Sequence, residues 1–421
     1  MTQHHPEQAP VQDAGSTDAQ TPKAAPGMVS SSSRQAILGA LFLMATSAIG
    51  PGFLTQTATF TGQLGAAFAC AILVSIVVDI AVQMNVWRVV GVSGMRAHEL
   101  GNRVLPGVGY LLAALVVIGG FIFNIGNVAG SGIGANAMFG LDARIGGAIS
   151  AAIAIGIFLS KRAGIALDRV VVVLGLVMIV ATLVVAITSD PPVGEALRST
   201  VAPDTFDFVA TTTIIGGTVG GYITYAGAHR LLDSGRTGVE HVGDITRSSV
   251  VSILVTGLMR ILLFLAILGV VAGGATLSAE NPAGSAFEAA AGELGLRMFG
   301  VILWAAALTS VIGAAYTSVS FLTTRSTSAR TRNLLTVAFI AASAIVFVII
   351  EQAPAELLVF AGTFNGLILP LGFTVLLYVA WRRRDLLGGY RYPVWLLAVG
   401  VAAWLLTLYL GWNALQLLGD L

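Results

Sequence analysis

From residue 35 onward the chain is a succession of long apolar runs, separated by short clusters of arginine, glycine and proline. A helix needs about 20 apolar residues to cross the hydrocarbon of a bilayer. Runs approaching or exceeding that length fall near 35–62, 65–87, 105–128, 145–160, 167–188, 207–228, 248–272, 298–322, 333–350, 354–380 and 392–417, the fourth being the shortest. The pattern predicts an all-α polytopic membrane protein with eleven transmembrane helices. Residues 1–33, rich in Gln, Pro, Ala, Ser and Thr and free of apolar runs, read as a disordered cytoplasmic tail. His4 and His5 belong to that solvated tail. Because the first apolar run begins only after Arg34, it reads as a retained span and not as a cleaved signal. Residues 34–421 then form one transporter domain.

Two of the runs are unusual for membrane helices. The first contains "IGPGFLTQTATFTGQ" (49–63), with a Gly-Pro-Gly, four threonines, two glutamines and no charge. The sixth contains "ATTTIIGGTVGGYITYAG" (210–227), which echoes "ATSAIGPGFLTQTATFTG" (45–62) with one gap. Pro51 lacks an amide donor, and Gly50, Gly52, Gly216, Gly217, Gly220 and Gly221 favour departures from helix. Freed backbone groups cost several kcal/mol each in lipid, so such breaks persist only where they line a protein-walled cavity. Matching breaks in spans 1 and 6 are the mark of a five-plus-five inverted repeat with its binding site between them. Glycines also let helices pack closely, and one pair alone would be read that way.

Composition agrees with a membrane protein. Of 421 residues 56% are hydrophobic and 10% charged, with mean hydropathy +0.87, whereas soluble domains carry about 25% charged residues. The net charge of +1 and the lack of a basic aromatic patch point away from a nucleic-acid partner. A single cysteine, Cys70, excludes an internal disulfide. His98, His229 and His241 show no zinc-enzyme spacing, and no nucleophile–base set is visible, so the chain reads as a transporter and not an enzyme. No resident cofactor is implied.

Arginine and lysine set the orientation. With a cytoplasmic N-terminus, Lys23, Arg34 and the even loops (Arg88, Arg96, Arg103; Lys161, Arg162, Arg169; Arg230, Arg236, Arg247; Arg325, Arg330, Arg332; Arg382, Arg383, Arg384, Arg391) hold all but four of the 22 basic residues. Arg144, Arg198 and Arg297 fall outside with Asp190, Glu195, Asp204, Glu280, Glu288, Glu351 and Glu356. The expected location is the inner membrane. Asp168, Asp233 and Asp244 read as solvated loop residues.

The chain resembles the NRAMP family, proton-coupled divalent-metal transporters of the LeuT-type fold, over residues 35–417. The resemblance rests on "GPGFL" (50–54), "NVAGSGIGANAMFG" (127–140), "IIGGTVGGYITY" (214–225) and "LILPL" (367–371), in that order. It implies secondary transport by alternating access. The family's first-span Asp-Pro-Gly-Asn, whose Asp and Asn bind the metal, would fall at Thr61-Gly62-Gln63-Leu64 or at Phe60-Thr61-Gly62-Gln63, and neither register supplies a carboxylate. Its sixth-span Met-Pro-His becomes Gly220-Gly221-Tyr222, and its third-span acids become Asn124 and Asn127. The scaffold therefore reads as one whose metal site is dismantled, since divalent cations prefer charged or soft ligands. "FLMATSAIGPGFLTQTATFT" (42–61) and "NVWRVVGVSG" (85–94) further resemble NRAMP-related membrane proteins encoded beside bacterial 5-oxoprolinase genes, which implies 5-oxoproline or a similar small carboxylate as substrate. The family default, a divalent metal at an atypical site, is the alternative; a non-transporting sensor or subunit is the third reading.

Candidate substrate contacts are Gly50, Gly52, Gly216, Gly217, Gly220, Gly221, Tyr222, Tyr225, Asn124 and Asn127. Thr55, Thr57, Thr59, Thr61 and Gln63 join them, the threonines spaced to give two hydroxyl-bearing helix faces. Membrane threonines also bond their own i−4 carbonyls, and the two readings stand side by side here. Asn365, placed at a break before Pro370, is a further candidate. Asp79 and Arg260 are mid-span charges, costly in lipid and expected to pair or face water. They are an intramembrane ion pair or a coupling site, with a proton or sodium as the coupling ion.

Overall fold

The structure, a computed structural model, describes residues 48–419 except residues 325 and 351, and the side chains within 161–172 and 417–419 are not among those described. The expectations for the tail, His4, His5, Lys23, Arg34, the first part of span 1, Arg325, Glu351 and the side chains of Lys161, Arg162, Asp168 and Arg169 lie outside the described residues.

All regular structure is helical: α1 Pro51–Leu64, α2 Phe68–Ser93, α3 Ala97–Val104, α4 Val108–Phe139, α5 Ala143–Leu159, α6 Lys161–Thr188, α7 Val193–Val201, α8 Phe208–Val219, α9 Ile223–Asp233, α10 Val242–Ala272, α11 Pro282–Leu322, α12 Ala329–Ile349, α13 Pro354–Arg382 and α14 Val394–Gly419. Four of the starts are fixed by side chains that accept the orphan amides of the first turn. Asp142 does so for α5, Asp207 for α8, Asn281 for α11 and Ser328 for α12.

The expectation of eleven spanning helices is not met. Among the described residues seven helical segments are long and apolar enough to cross a membrane, or eight if one bent pair counts as a span. The physical reasons are local. Pro51–Ser93 counts as one segment, because α1 runs into α2 through a single 3₁₀ turn at Gly65–Ala67. Ala143–Leu159 has only 17 residues, and Val173–Thr188 bends by 107° into Val193–Val201. The sixth apolar run is divided into helices of 12 and 11 residues. Hydropathy sums over such breaks; a helix does not.

Small residues set how closely the helices approach. On α4, Gly126, Gly130 and Gly134 recur every fourth residue and face Leu358, Pro51 and Trp304. A Cβ at Gly134 would lie 2.8 Å from the Trp304 backbone nitrogen, and one at Gly126 2.9 Å from Leu358. This close packing of α4 against α1, α11 and α13 brings the polar positions of four helices together at one depth.

Candidate functional site

The first break lies at Gly50. The residue is extended (φ −104°, ψ −171°) and Pro51 opens α1, where its missing amide is no loss. No side chain caps this N-terminus. The chain leaves helix at the Gly-Pro-Gly whose residue types favour it, whereas residues 60–64, where the family's Asp-Pro-Gly-Asn was counted to fall, lie inside or at the end of continuous helix. The segment at the break is Gly50-Pro51-Gly52-Phe53, which also lacks a carboxylate. The second break spans Gly220–Tyr222, with Gly220 extended and Gly221 at φ +51°. Asn365, by contrast, is not at a break, because α13 runs continuously through Pro370.

Between the two breaks sits a shell of neutral polar groups. A Cβ on Gly50 would meet the Ser310 hydroxyl at 2.6 Å and the Asn127 carbonyl oxygen at 3.8 Å. Asn127 is fully buried, and its amide faces the equally buried Tyr222 hydroxyl within hydrogen-bonding reach, though neither group makes a bond of good geometry. The Tyr222 ring packs edge-on against Phe123 at 5.7 Å. Gly52 faces Phe123 and Gln56. Gln56 donates to the Leu358 carbonyl at 2.8 Å while its own oxygen, facing Gly217, is unpartnered. Thr317 and Ser318 on α11 are buried with free hydroxyls. Buried polar atoms without partners cost about 1–3 kcal/mol each, and this shell is therefore the candidate site. Gln56, Phe123, Ser310, Thr317 and Ser318 are absent from the sequence-based candidates. A spacing of eight between Ser310 and Ser318 in an apolar run was the available signal.

Other candidates fall elsewhere. Gly216 packs against Gly362 and Gly366 of α13, and Gly220 and Gly221 against Asn365. Asn365 donates to the Gly119 and Ala361 carbonyls at 3.1 and 2.8 Å. Asn124 points away, donating to Ser343 of α12 at 3.2 Å. Tyr225 is buried against Phe321 and His229, in an aromatic cluster beyond the break. Thr57 and Thr61 donate to the Phe53 and Thr57 carbonyls, so their hydroxyls serve their own helix; Thr55 is buried. Thr59, Gly62 and Gln63 line a cavity of about 990 Å³ together with Glu356, Thr363 and Phe364, at the far end of α1.

The opposite end of the molecule is latched. Arg96, 1% exposed, donates to the Ser320 and Thr323 carbonyls at 2.6 and 2.8 Å and pairs with Asp233 at 3.2 Å. The Tyr316 hydroxyl donates to the other Asp233 oxygen at 2.5 Å. Asp233 is therefore not the solvated loop residue expected: the end of α9 turns it inward against α3 and α11. Asp244 is exposed. Near the first break, Arg260 donates to Ser75 and Thr218 and lies 4.5 Å from the centre of the Phe53 ring. Among the described residues no ion pair joins it to Asp79 and no cluster of His, Cys, Asp and Glu is able to hold a metal ion.

A helical membrane bundle with a discontinuous helix beside a cluster of buried polar groups has the architecture of a LeuT-type transporter scaffold, and comparison with known proteins agrees. The chain matches the family described as natural resistance-associated macrophage protein-like over residues 41–416, and it belongs to that family. It is 53% identical over 365 residues to the uncharacterized membrane protein YcsG of Bacillus subtilis, covering 86% of this chain and 90% of that one. It is 54% identical over 364 residues to an uncharacterized membrane protein of Haemophilus influenzae, covering 86% and 91%. Its fold is similar to the manganese transporter of Eremococcus coleocola (TM-score 0.70, 18% identity, 89% and 85% covered) and to MhsT in complex with L-phenylalanine (TM-score 0.63, 16% identity, 89% and 98% covered). The chain is accordingly a secondary active membrane transporter of a small solute, not an enzyme.

Proposed function

We propose that the solute binds between the Gly50 and Gly220–Tyr222 breaks and crosses by alternating access. The observation that carries this reading is the set of buried polar groups with unmet hydrogen-bonding capacity between those breaks: the Asn127 amide, the Tyr222 hydroxyl that faces it and the Gln56 oxygen. In this state the 990 Å³ vestibule beside Gln63 is open while Arg96, Asp233 and Tyr316 tie the other end. By the charge reading the vestibule faces outward and the N-terminus lies in the cytoplasm.

The comparisons weigh toward a divalent cation as cargo, since the family is NRAMP-like and the Eremococcus relative is a manganese transporter. Here the cation would meet only amide, hydroxyl and backbone oxygens, which suits a hard, partly hydrated ion such as Mg²⁺ better than Mn²⁺ or Fe²⁺. A second cargo class has its own support. The uncapped, buried N-terminus of α1 beside the Asn127 amide favours an anionic group, and MhsT, of similar fold, is seen in complex with L-phenylalanine. A small carboxylate such as 5-oxoproline fits that chemistry; its name comes from the sequence resemblance to proteins encoded beside 5-oxoprolinase genes. Proteoliposomes separate the two. Saturable entry of Mg²⁺ or Mn²⁺ with no radiolabelled 5-oxoproline uptake supports the cation; the reverse supports the carboxylate. Failure of both, across a panel of divalent cations and small carboxylates, overturns the proposed site.

A further inference from the structure

Asp79 lies mid-way along α2, 1% exposed, with one carboxylate oxygen that meets no donor. An ionised carboxylate left unsatisfied in a membrane interior is costly, and a purely structural ion pair would close onto its partner. Here it does not. Arg260 of α10 is the charged group that faces Asp79, yet its two terminal nitrogens go to Ser75 and Thr218 and its Nε is unpartnered. Thr218 lies within hydrogen-bonding reach of Asp79 as well.

The position of this cluster matters more than its charge. Thr218 is two residues before the Gly220 break, and Phe53, over which Arg260 lies, is three residues after Gly50. The charged pair therefore touches both discontinuous segments through one side chain each, from α2 and α10. We infer that Asp79 is the proton-binding site that couples transport, with Arg260 the positioning residue that reports its charge to the two breaks. This rests on the reading of the chain as a secondary transporter.

The step is a simple proton transfer. The free carboxylate oxygen takes a proton from a hydronium ion on one side, whose O–H bond breaks to leave water as the carboxyl O–H forms, and gives it to a water on the other side, which becomes hydronium. In the neutral state the attraction between Asp79 and Arg260 is gone, and Arg260 is held by Ser75, Thr218 and Phe53 alone. In the charged state Arg260 is drawn toward Asp79, pulling on Thr218 and Phe53. Asp79 is shut off from water here, so exchange requires α1 or α8 to move, which ties protonation to the transport cycle.

The test uses full-length protein in liposomes with an internal pH dye, driven by Mg²⁺, Mn²⁺ or 5-oxoproline, together with infrared titration of the protein alone. Wild type should acidify the lumen in step with solute entry. Asp79→Asn should abolish acidification while probe-induced thermal stabilisation persists, and Asp79→Glu should restore it in part. Arg260→Lys should change the proton-to-solute ratio. The infrared carboxyl band that titrates in wild type should vanish in Asp79→Asn. A merely structural Asp79 would lower melting temperature and scale both fluxes equally, leaving their ratio unchanged, and that result overturns the inference. If no probe moves, the transport reading fails by itself, while the infrared band still decides whether Asp79 takes up a proton.

Discussion

Gly221 stands at φ +51° with the Asn365 side chain directly over it, so a methyl group there meets two separate penalties. Left-handed backbone costs a non-glycine residue on the order of 1–3 kcal/mol, and the overlap with the Asn365 carbonyl adds to it. Gly221→Ala should therefore lower the melting temperature in detergent. Asn365→Ala should lower it too, through the lost bonds to Gly119 and Ala361. The double variant should lose less than the sum, because removing Asn365 relieves the overlap; strict additivity would sink this reading. At this scale the second break is legible in sequence because its glycines echo the cluster in the first span; a Gly pair alone would read as close packing. The first is legible only as a break. Gly-Pro-Gly fits either the lead-in to a span or the break itself, and only the backbone at Gly50 decides between them. Gln56 stayed hidden for a related reason: the shifted register made Gln63 the glutamine of interest, whereas Gln63 lines the vestibule.

Between helices, the cluster at Arg96 shows what loop assignment misses. Arg96 and Asp233 occupy short arginine-rich connections in the sequence, where solvation is the natural reading. The turn from α2 into α3 and the end of α9 instead bury them, at 1% and 8% side-chain exposure, against the last turn of α11. Breaking one partner of such a pair costs about 3–5 kcal/mol, because the other charge stays buried. Arg96→Ala should thus destabilise the latched state more than any other. With Cys70 replaced by alanine, a cysteine introduced by Ser318→Cys should be slow to react with a water-soluble maleimide while Arg96 is present. Arg96→Ala should accelerate that labelling; an unchanged rate would show that the cluster holds nothing shut. The helix count teaches the same lesson from the other direction. Apolar runs locate membrane-embedded chain reliably, but 107° bends and three-residue breaks decide how many continuous helices result.

Across the whole molecule the two ends are unequal, with a cavity beside α1, α8 and α13 and a buried ionic latch beside α3, α9 and α11. Such asymmetry is what one state of an alternating-access cycle requires: solute reaches the breaks from one side while the other is closed. On the charge reading proposed above, the vestibule faces outside and the arginine-rich end beside the latch faces the cytoplasm. Both claims can be read from a pair of positions. In a Cys70→Ala background, Gln63→Cys should react with a membrane-impermeant thiol reagent in intact cells, and Ser326→Cys, in the exposed turn between α11 and α12, only after permeabilisation. Adding the transported solute should then slow labelling at Gln63→Cys, since binding favours states in which the vestibule is closed, and a ligand shifts a conformational equilibrium only by binding its states unequally. Reversed sidedness would overturn the charge reading while leaving the site intact. Labelling that ignores every solute, including one shown to be transported, would mean that this cavity is not the entrance to the breaks.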